Sequence, residues 1–319
     1  MKVWIIYALL VLIQLLLKPV SLWGQDAVFS QFFASALYLN PSFAGTSQSS
    51  SRLNLNYRNH PFPDSEGFAT IFVSYDAFIP SLHGGIGFVV TSDNQGGLHA
   101  KNHFAGIYSY HLKARENLFI NFSTQVGYYR QDIYWHRLKF VNSDQPPPEK
   151  TWNHSSNFAA GILVYNNWFF GGIAAHHLTQ PRESIFGDER LARKYTAHAG
   201  LSLEPTKNRI ANTLAFDYFL SPNIIFQQQG EFRRMNLGLY GGIESLMAGA
   251  WFRHDLNNAN TLVFLVGFQH NNLQVGYSYD HSLSGYSDAF HASHEVSISF
   301  EFFTAQQRNR QRIIKCPKF

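Results

Sequence analysis

Regular alternation of apolar and polar residues, sustained over segments of about 9–12 positions, narrows most sharply what this chain can become. Leu118, Ile120, Phe122, Thr124, Val126 and Tyr128 alternate with Phe119, Asn121, Ser123, Gln125, Gly127 and Tyr129. Leu273, Val275, Tyr277 and Tyr279 alternate with Gln274, Gly276, Ser278 and Asp280, and Val296, Ile298, Phe300 and Phe302 with Glu295, Ser297, Ser299 and Glu301. Successive side chains of a strand point to opposite faces, so each segment has one apolar face and one polar face. A tilted strand of this length crosses a bilayer. Aromatic residues gather at segment ends (Tyr128-Tyr129, Trp168-Phe169-Phe170, Trp251-Phe252), as interfacial girdles require.

Composition separates a membrane wall from a water-soluble sandwich or propeller, the rival architecture. Charged residues make up 14% of the 319 residues, against about 25% in soluble domains. Aromatics reach 16%, yet mean hydropathy is slightly negative. A barrel combines these properties because lipid-facing apolar residues alternate with polar residues facing the lumen. A sandwich would need a two-sheet core and a more charged surface, and no fixed-period propeller repeat is present.

The first residues read as a leader. Lys2 precedes an apolar run from Val3 to Leu17 broken only by Gln14, and Lys18 leads on to Gly24-Gln25-Asp26. A basic start, an apolar core and a small residue before a polar stretch make a secretory signal peptide over residues 1–24, cut near Gly24. The competing reading, a membrane anchor, needs roughly 20 apolar residues. No cysteine stands at the boundary, which argues against a lipoprotein. No second apolar run of that length follows, so helical spans are excluded. Loss of Lys2 and Lys18 lowers the formal net charge from +4 to +2. With no basic tract, nucleic acid is excluded as a partner. The single cysteine, Cys316, rules out a disulfide-stapled fold.

Candidate strands fall near 50–58, 67–78, 84–92, 102–113, 117–130, 157–166, 168–177, 195–204, 210–218, 222–231, 235–244, 248–255, 261–270, 272–280 and 293–303. Single-chain bacterial barrels have even strand numbers. The weakest break is at Leu220-Ser221-Pro222, and merging 210–231 into one bent strand gives fourteen. The connectors 131–156, 178–194 and 281–292 then all lie on the extracellular side, opposite tight turns such as Asn166-Asn167 and His270-Asn271. The expectation is therefore an all-β, transmembrane antiparallel β-barrel over 50–303. A periplasmic or luminal arm at 25–49, packed from the periplasmic side, precedes it, and a tail at 304–319 follows. Pro146-Pro147-Pro148 stiffens one outer loop.

Chemistry is sparsely signalled. Fifteen histidines suggest metal, but His176-His177 on a strand point to opposite faces, and His291 and His294 lack a ligand set. A barrel esterase would pair His111 or His198 with a strand serine, yet no spacing singles out a pair and no Gly-x-Ser-x-Gly elbow occurs. The pairs Gly84-Gly85, Gly96-Gly97, Gly171-Gly172 and Gly241-Gly242 suit strand curvature and close backbone approach. No catalytic residue, cofactor or metal site is assigned.

Two segments depart from generic barrel sequence. One joins Gln25, Asp26, Phe29, Ser30 and Gln31 to Asn40-Pro41-Ser42-Phe43-Ala44-Gly45; the other joins Tyr277, Tyr279 and Asp280 to Ser284 and to His294-Glu295. Together with Cys316-Pro317-Lys318-Phe319, the His177-Leu178-Thr179-Gln180-Pro181 element and Trp251-Phe252-Arg253, they resemble the PorP/SprF family of type IX secretion system membrane proteins of Bacteroidota over residues 25–319. Ser42-Phe43 departs conservatively from the commoner Ala-Tyr.

The resemblance implies a barrel related to the fatty-acid transporter type. It also implies a non-enzymatic part in exporting, or holding at the surface, a large adhesin-like protein with a type B C-terminal domain, in some members for gliding motility. Expected partners are outer-membrane lipid, the exported substrate at the extracellular loops 131–156 and 178–194, and periplasmic machinery reached by the 25–45 arm. The alternative is a transporter of a hydrophobic small molecule through the barrel wall.

Overall fold

Side chains that alternate along the sequence alternate across a closed wall. The computed structural model describes residues 25–303 except 48, 62–66, 138–150, 185–186, 204–217, 257–258 and 284–291. Fourteen strands make up the wall: β1 (Ser51–His60), β2 (Phe68–Ile79), β3 (Gly84–Gln95), β4 (His99–Arg115), β5 (Leu118–Ile133), β6 (Trp152–Tyr165), β7 (Phe169–His176), β8 (Lys194–Leu201), β9 (Tyr218–Gln229), β10 (Phe232–Ile243), β11 (Leu246–Asp255), β12 (Ala259–His270), β13 (Leu273–Ser282) and β14 (Ala292–Phe302). Each pairs antiparallel with its sequence neighbours. β14 closes on β1 in a register running from Ser51↔Phe302 to Asn59↔His294, so the sheet keeps no free edge.

The polarity of this wall is the reverse of a soluble protein. Tyr57, Phe122, Val126, Phe264, Val266, Val296 and Ile298 are exposed on the outside, whereas Asn54, Asn56, Asn121, Gln125, Ser278, Glu295 and Ser297 are buried within. Leaving a large apolar side chain in water forgoes about 1.5–3 kcal/mol. Such an exterior is therefore stable only against hydrocarbon. No described helix is long and apolar enough to cross a membrane.

The end at which β1 begins and β14 finishes is called the near end below, the opposite one the far end. Near-end turns are mostly short. Asn166 Oδ1 accepts the N–H groups of Trp168 and Phe169 at 2.9 and 2.8 Å, an Asx turn between β6 and β7. Asn271 takes φ +51° between β12 and β13. β5, β7 and β13 end at the far end, where β6, β8 and β14 begin, as the alternation implied.

β9 is described from Tyr218 onward. The proposed strand start at 210–217 lies outside the described residues. The merge across Leu220-Ser221-Pro222 is real, and its physical reason is visible. The β8–β9 ladder ends at Gly200↔Asn223, one residue before Pro222. A residue without an N–H is accommodated where the strand's side towards β8 is no longer continuously paired.

Candidate functional site

The lumen is filled by the chain's own N-terminal arm, residues 25–50. At the near end the arm joins β1. Gly45 takes φ +76° and donates its N–H to Asp76 Oδ2 at 2.9 Å. A Cβ on Gly85 of β3 would stand 2.0 Å from the Ala44 carbonyl oxygen, so Gly85 makes room for the arm, while Gly84 makes room for the β4 backbone at Ser109. Inward from there, Pro41–Phe43 form a 3-10 turn preceded by the one-turn helix α1 (Ala36–Leu39). Asn40 accepts the Ser42 N–H at 2.9 Å and donates through Nδ2 to the carbonyl oxygens of Ile162 and Ile173, at 3.1 and 3.3 Å. Pro41 suits the first position of such a turn, where its missing N–H has no partner to lose.

Further along, aromatic side chains pack the bore. Phe29 lies 4.9 Å from Tyr38 and 5.5 Å from Phe72, Phe32 lies 4.8 Å from Trp251, and Phe43 stacks 5.2 Å from His198. The tip reaches the far end. Asp26 there meets His177 Nε2 and Lys194 Nζ, each at 2.9 Å, and its own N–H donates to Gln229 Oε1 at 3.0 Å. Burial opposes ionisation of Asp26, but His177 and Lys194 outweigh it and hold the carboxyl well below the usual range. A cavity of about 210 Å³ remains beside the tip, lined by Gln25, Asp26, Lys194, Gln229, Arg234 and Asp255 among others. The arm thus runs the length of the lumen and does not merely enter it from the near end.

Between these ends a buried charge cluster ties arm to wall. Arg58 Nη2 meets Asp280 Oδ2 at 2.7 Å, Arg58 Nη1 meets Glu295 Oε2 at 3.2 Å, and Arg253 Nη1 meets Asp280 Oδ2 at 2.9 Å. Ser30 sits at the centre. Its hydroxyl donates to Asp280 at 2.7 Å and accepts from Arg58 and Arg253 at 2.7 and 2.8 Å, while its N–H donates to Glu295 at 2.7 Å. Gln31 donates through Nε2 to the Glu295 carbonyl at 2.8 Å and accepts from Ser297 Oγ. Two guanidinium groups face two carboxylates, so the charges balance. Breaking a buried pair of this kind costs about 3–5 kcal/mol, because the remaining charge is left without a partner.

The two distinctive sequence segments therefore meet. Ser30 and Gln31 from one contact Asp280 and Glu295 from the other. Arg58, which bridges them, escaped the sequence reading because a lone arginine inside an alternating segment carries no pattern. Asp26, Phe29, Asn40, Pro41, Ala44 and Gly45 all belong to the plug, with Gln25 at its tip. Tyr277, Tyr279 and His294 occupy alternate positions on the outer surface instead, with the Tyr277 hydroxyl 2.8 Å from His294 Nδ1. Ser284, like His291, lies outside the described residues.

His176 and His177 depart from the expectation that they face opposite ways. The chain leaves β7 at His177 with φ +56°, and both rings are buried, with centroids 6.5 Å apart. His176 Nε2 lies 3.3 Å from the Leu39 carbonyl oxygen. His111 and His198 likewise engage the arm, at the Ala44 carbonyl oxygen and the Asn40 amide. Among the described residues no group of three His, Cys, Asp or Glu is placed to hold a metal ion.

Solved structures are similar to the chain at low identity. The CymD monoaromatic hydrocarbon channel is similar at TM-score 0.51 and 12% identity, over 88% of this chain and 96% of that one. A deletion mutant of the TodX monoaromatic hydrocarbon channel gives 0.49 and 9%, over 85% and 94%. The Acinetobacter baumannii outer membrane protein Omp33 gives 0.46 and 8%, over 80% and 98%. No curated protein matches the chain. Residues 22–300 match the family model described as type IX secretion system membrane protein PorP/SprF.

Proposed function

Because the chain belongs to the PorP/SprF family of type IX secretion system membrane proteins, we propose that it acts in the outer membrane as a non-enzymatic scaffold. In this role it supports export or surface attachment of a large adhesin-like partner with a type B C-terminal domain. The observation that carries the reading is the filled lumen: a barrel occupied by its own arm offers no bore to an exported chain, so it works through its surfaces. With strand termini in the periplasm, as is usual for such barrels, the far end faces outward. The connectors after β5 and β7 then meet the exported partner, and the near end meets the periplasmic machinery. In the same reading the leader is removed near Gly24, which leaves the arm tip free to reach the far mouth.

The test is recovery of partners from native membranes. Affinity isolation of the intact barrel should recover a large surface protein carrying a type IX C-terminal domain, and replacing 177–193 by a short Gly/Ser linker should abolish that recovery while the barrel persists. Recovery of a hydrophobic solute alone, with no such protein, would favour the transporter reading instead.

A further inference from the structure

The plug explains the inward half of the C-terminal motif but leaves its outward half, Tyr277, Tyr279 and His294, without a role. These side chains belong to a larger far-end group on the outer surface of β11–β14. Tyr279 lies 5.4 Å from the His294 ring and stacks 6.3 Å from His281. On β11, His254 stacks on Phe252, with centroids 6.3 Å apart and planes 9° apart. The register sets these strands side by side: Phe252 opposite Leu262, Leu262 opposite His281, and Tyr279 opposite His294. Three imidazoles thus form an arc along one rim of a surface otherwise built to meet hydrocarbon.

Their ring nitrogens are unequally committed. His254 Nδ1 lies 2.6 Å from Asn260 Oδ1, an acceptor, which leaves Nε2 for an outside partner. The Tyr277 phenol engages His294 Nδ1, again leaving Nε2 for an outside partner. The charged groups at the far end of these strands turn inward and pair there: Arg253 with Asp280, Asp255 with Arg234, and Glu295 with Arg58. Among the described residues, the three imidazoles and the phenols of Tyr277 and Tyr279 are therefore the titratable groups of this patch, and no carboxylate competes with an incoming anion.

We infer that the arc of His254, His281 and His294 binds the phosphate groups of an outer-leaflet lipid headgroup. Imidazoles gain little from acyl chains, whereas a phosphate at headgroup depth offers them charge-assisted hydrogen bonds. The aromatic partners hold the rings at the interface, where aromatic girdles of such barrels sit. The occupant is a lipid because the arc lies on the wall itself, at the level where headgroups meet it, and not on the connectors.

The test uses the mature barrel in detergent, titrated with lipid A bearing two phosphates and with the same lipid dephosphorylated. Wild type should bind the phosphorylated form about tenfold more tightly. The triple variant H254Q/H281Q/H294Q should lose that preference, and H270Q should keep it. His270 is the control because it stacks on Phe268 in the same way but at the near end. Heat-dependent gel mobility confirms that each variant is folded, and H281Q alone, at an exposed residue, repeats the test should the triple variant fail to fold. Equal binding of the two lipids, full preference in the folded variants, or displacement by low-millimolar inorganic phosphate would overturn the inference. None of these outcomes depends on the secretion role.

Discussion

Gln31 and Glu295 grip each other twice across 264 positions of sequence. The Glu295 carboxylate accepts the main-chain N–H of Gln31 at 3.2 Å, and the Gln31 side chain donates to the Glu295 carbonyl at 2.8 Å. The first element of the arm and the last strand of the wall are therefore one structural unit.

Glu295→Ala removes the acceptor of Ser30 N–H and Gln31 N–H and leaves Arg58 with one carboxylate instead of two. A loss of about 3–5 kcal/mol is expected, concentrated on the arm. In planar bilayers the variant should conduct, whereas the wild type stays silent. A silent variant with unchanged denaturant midpoint contradicts the lock.

Gly85→Leu attacks the plug by volume alone, since even a Cβ there would lie 2.0 Å from the Ala44 carbonyl oxygen. Overpacking of this order costs about 1–3 kcal/mol. Proteolysis should cleave the arm of this variant while the barrel keeps its heat-dependent gel mobility. Equal resistance of arm and wall would show that the near-end fit is looser than described.

The Asp26 latch has a definite pH sign. Its folded-state carboxyl lies below the ordinary value, so its contribution is fully present above about pH 4 and is lost only as pH falls through the lower folded value. Hydrogen exchange at residues 26–29 should thus be as slow at pH 5 as at pH 7, after correction for intrinsic rates. Asp26→Asn should speed it by about tenfold at both, the worth of one charge-assisted bond. Protection that fades between pH 7 and 5 in the wild type would contradict this assignment.

An epitope placed directly after Gly24 should be reached by antibody on intact cells, because the tip sits among His177, Lys194 and Gln229 at the far end. Labelling that requires permeabilised cells would reverse the proposed orientation.

Val266→Arg places a charge on the exposed outer face of β12. Unfolding from lipid vesicles should show a loss of about 2–4 kcal/mol, with the arm still seated. A neutral effect would mean that this face does not meet hydrocarbon.

The wall was legible because lipid and lumen impose opposite demands on neighbouring residues, and Phe122-Ser123 or Val296-Ser297 record that conflict directly. Strand ends were less so. Pro222 looks like a break in a string of letters, and only the shortness of β8 makes it tolerable inside β9. The plug was half legible: Asn40-Pro41 and Gly45 announced ordered turns, but nothing local says that Ser30 is enclosed by Arg58 and Arg253. The first contact spans 28 positions and the second 223, and neither pairing leaves a periodic trace. His177 misled because strand logic was extended by one residue past the point where φ changes sign.

Closure of β14 on β1 carries a consequence for how the molecule comes into being. Glu295, Ser297 and Asp280 are made last, yet they provide the berth for Ser30 and Gln31, which are made first. A chain cut short before β14 would lose the seam of the wall and the mooring of its own N-terminus in one stroke. The arm must therefore either wait inside an unfinished ring or thread a finished one. Either way, completion of the C-terminal strand acts as a checkpoint: a barrel that lacks it is left both open-sided and hollow.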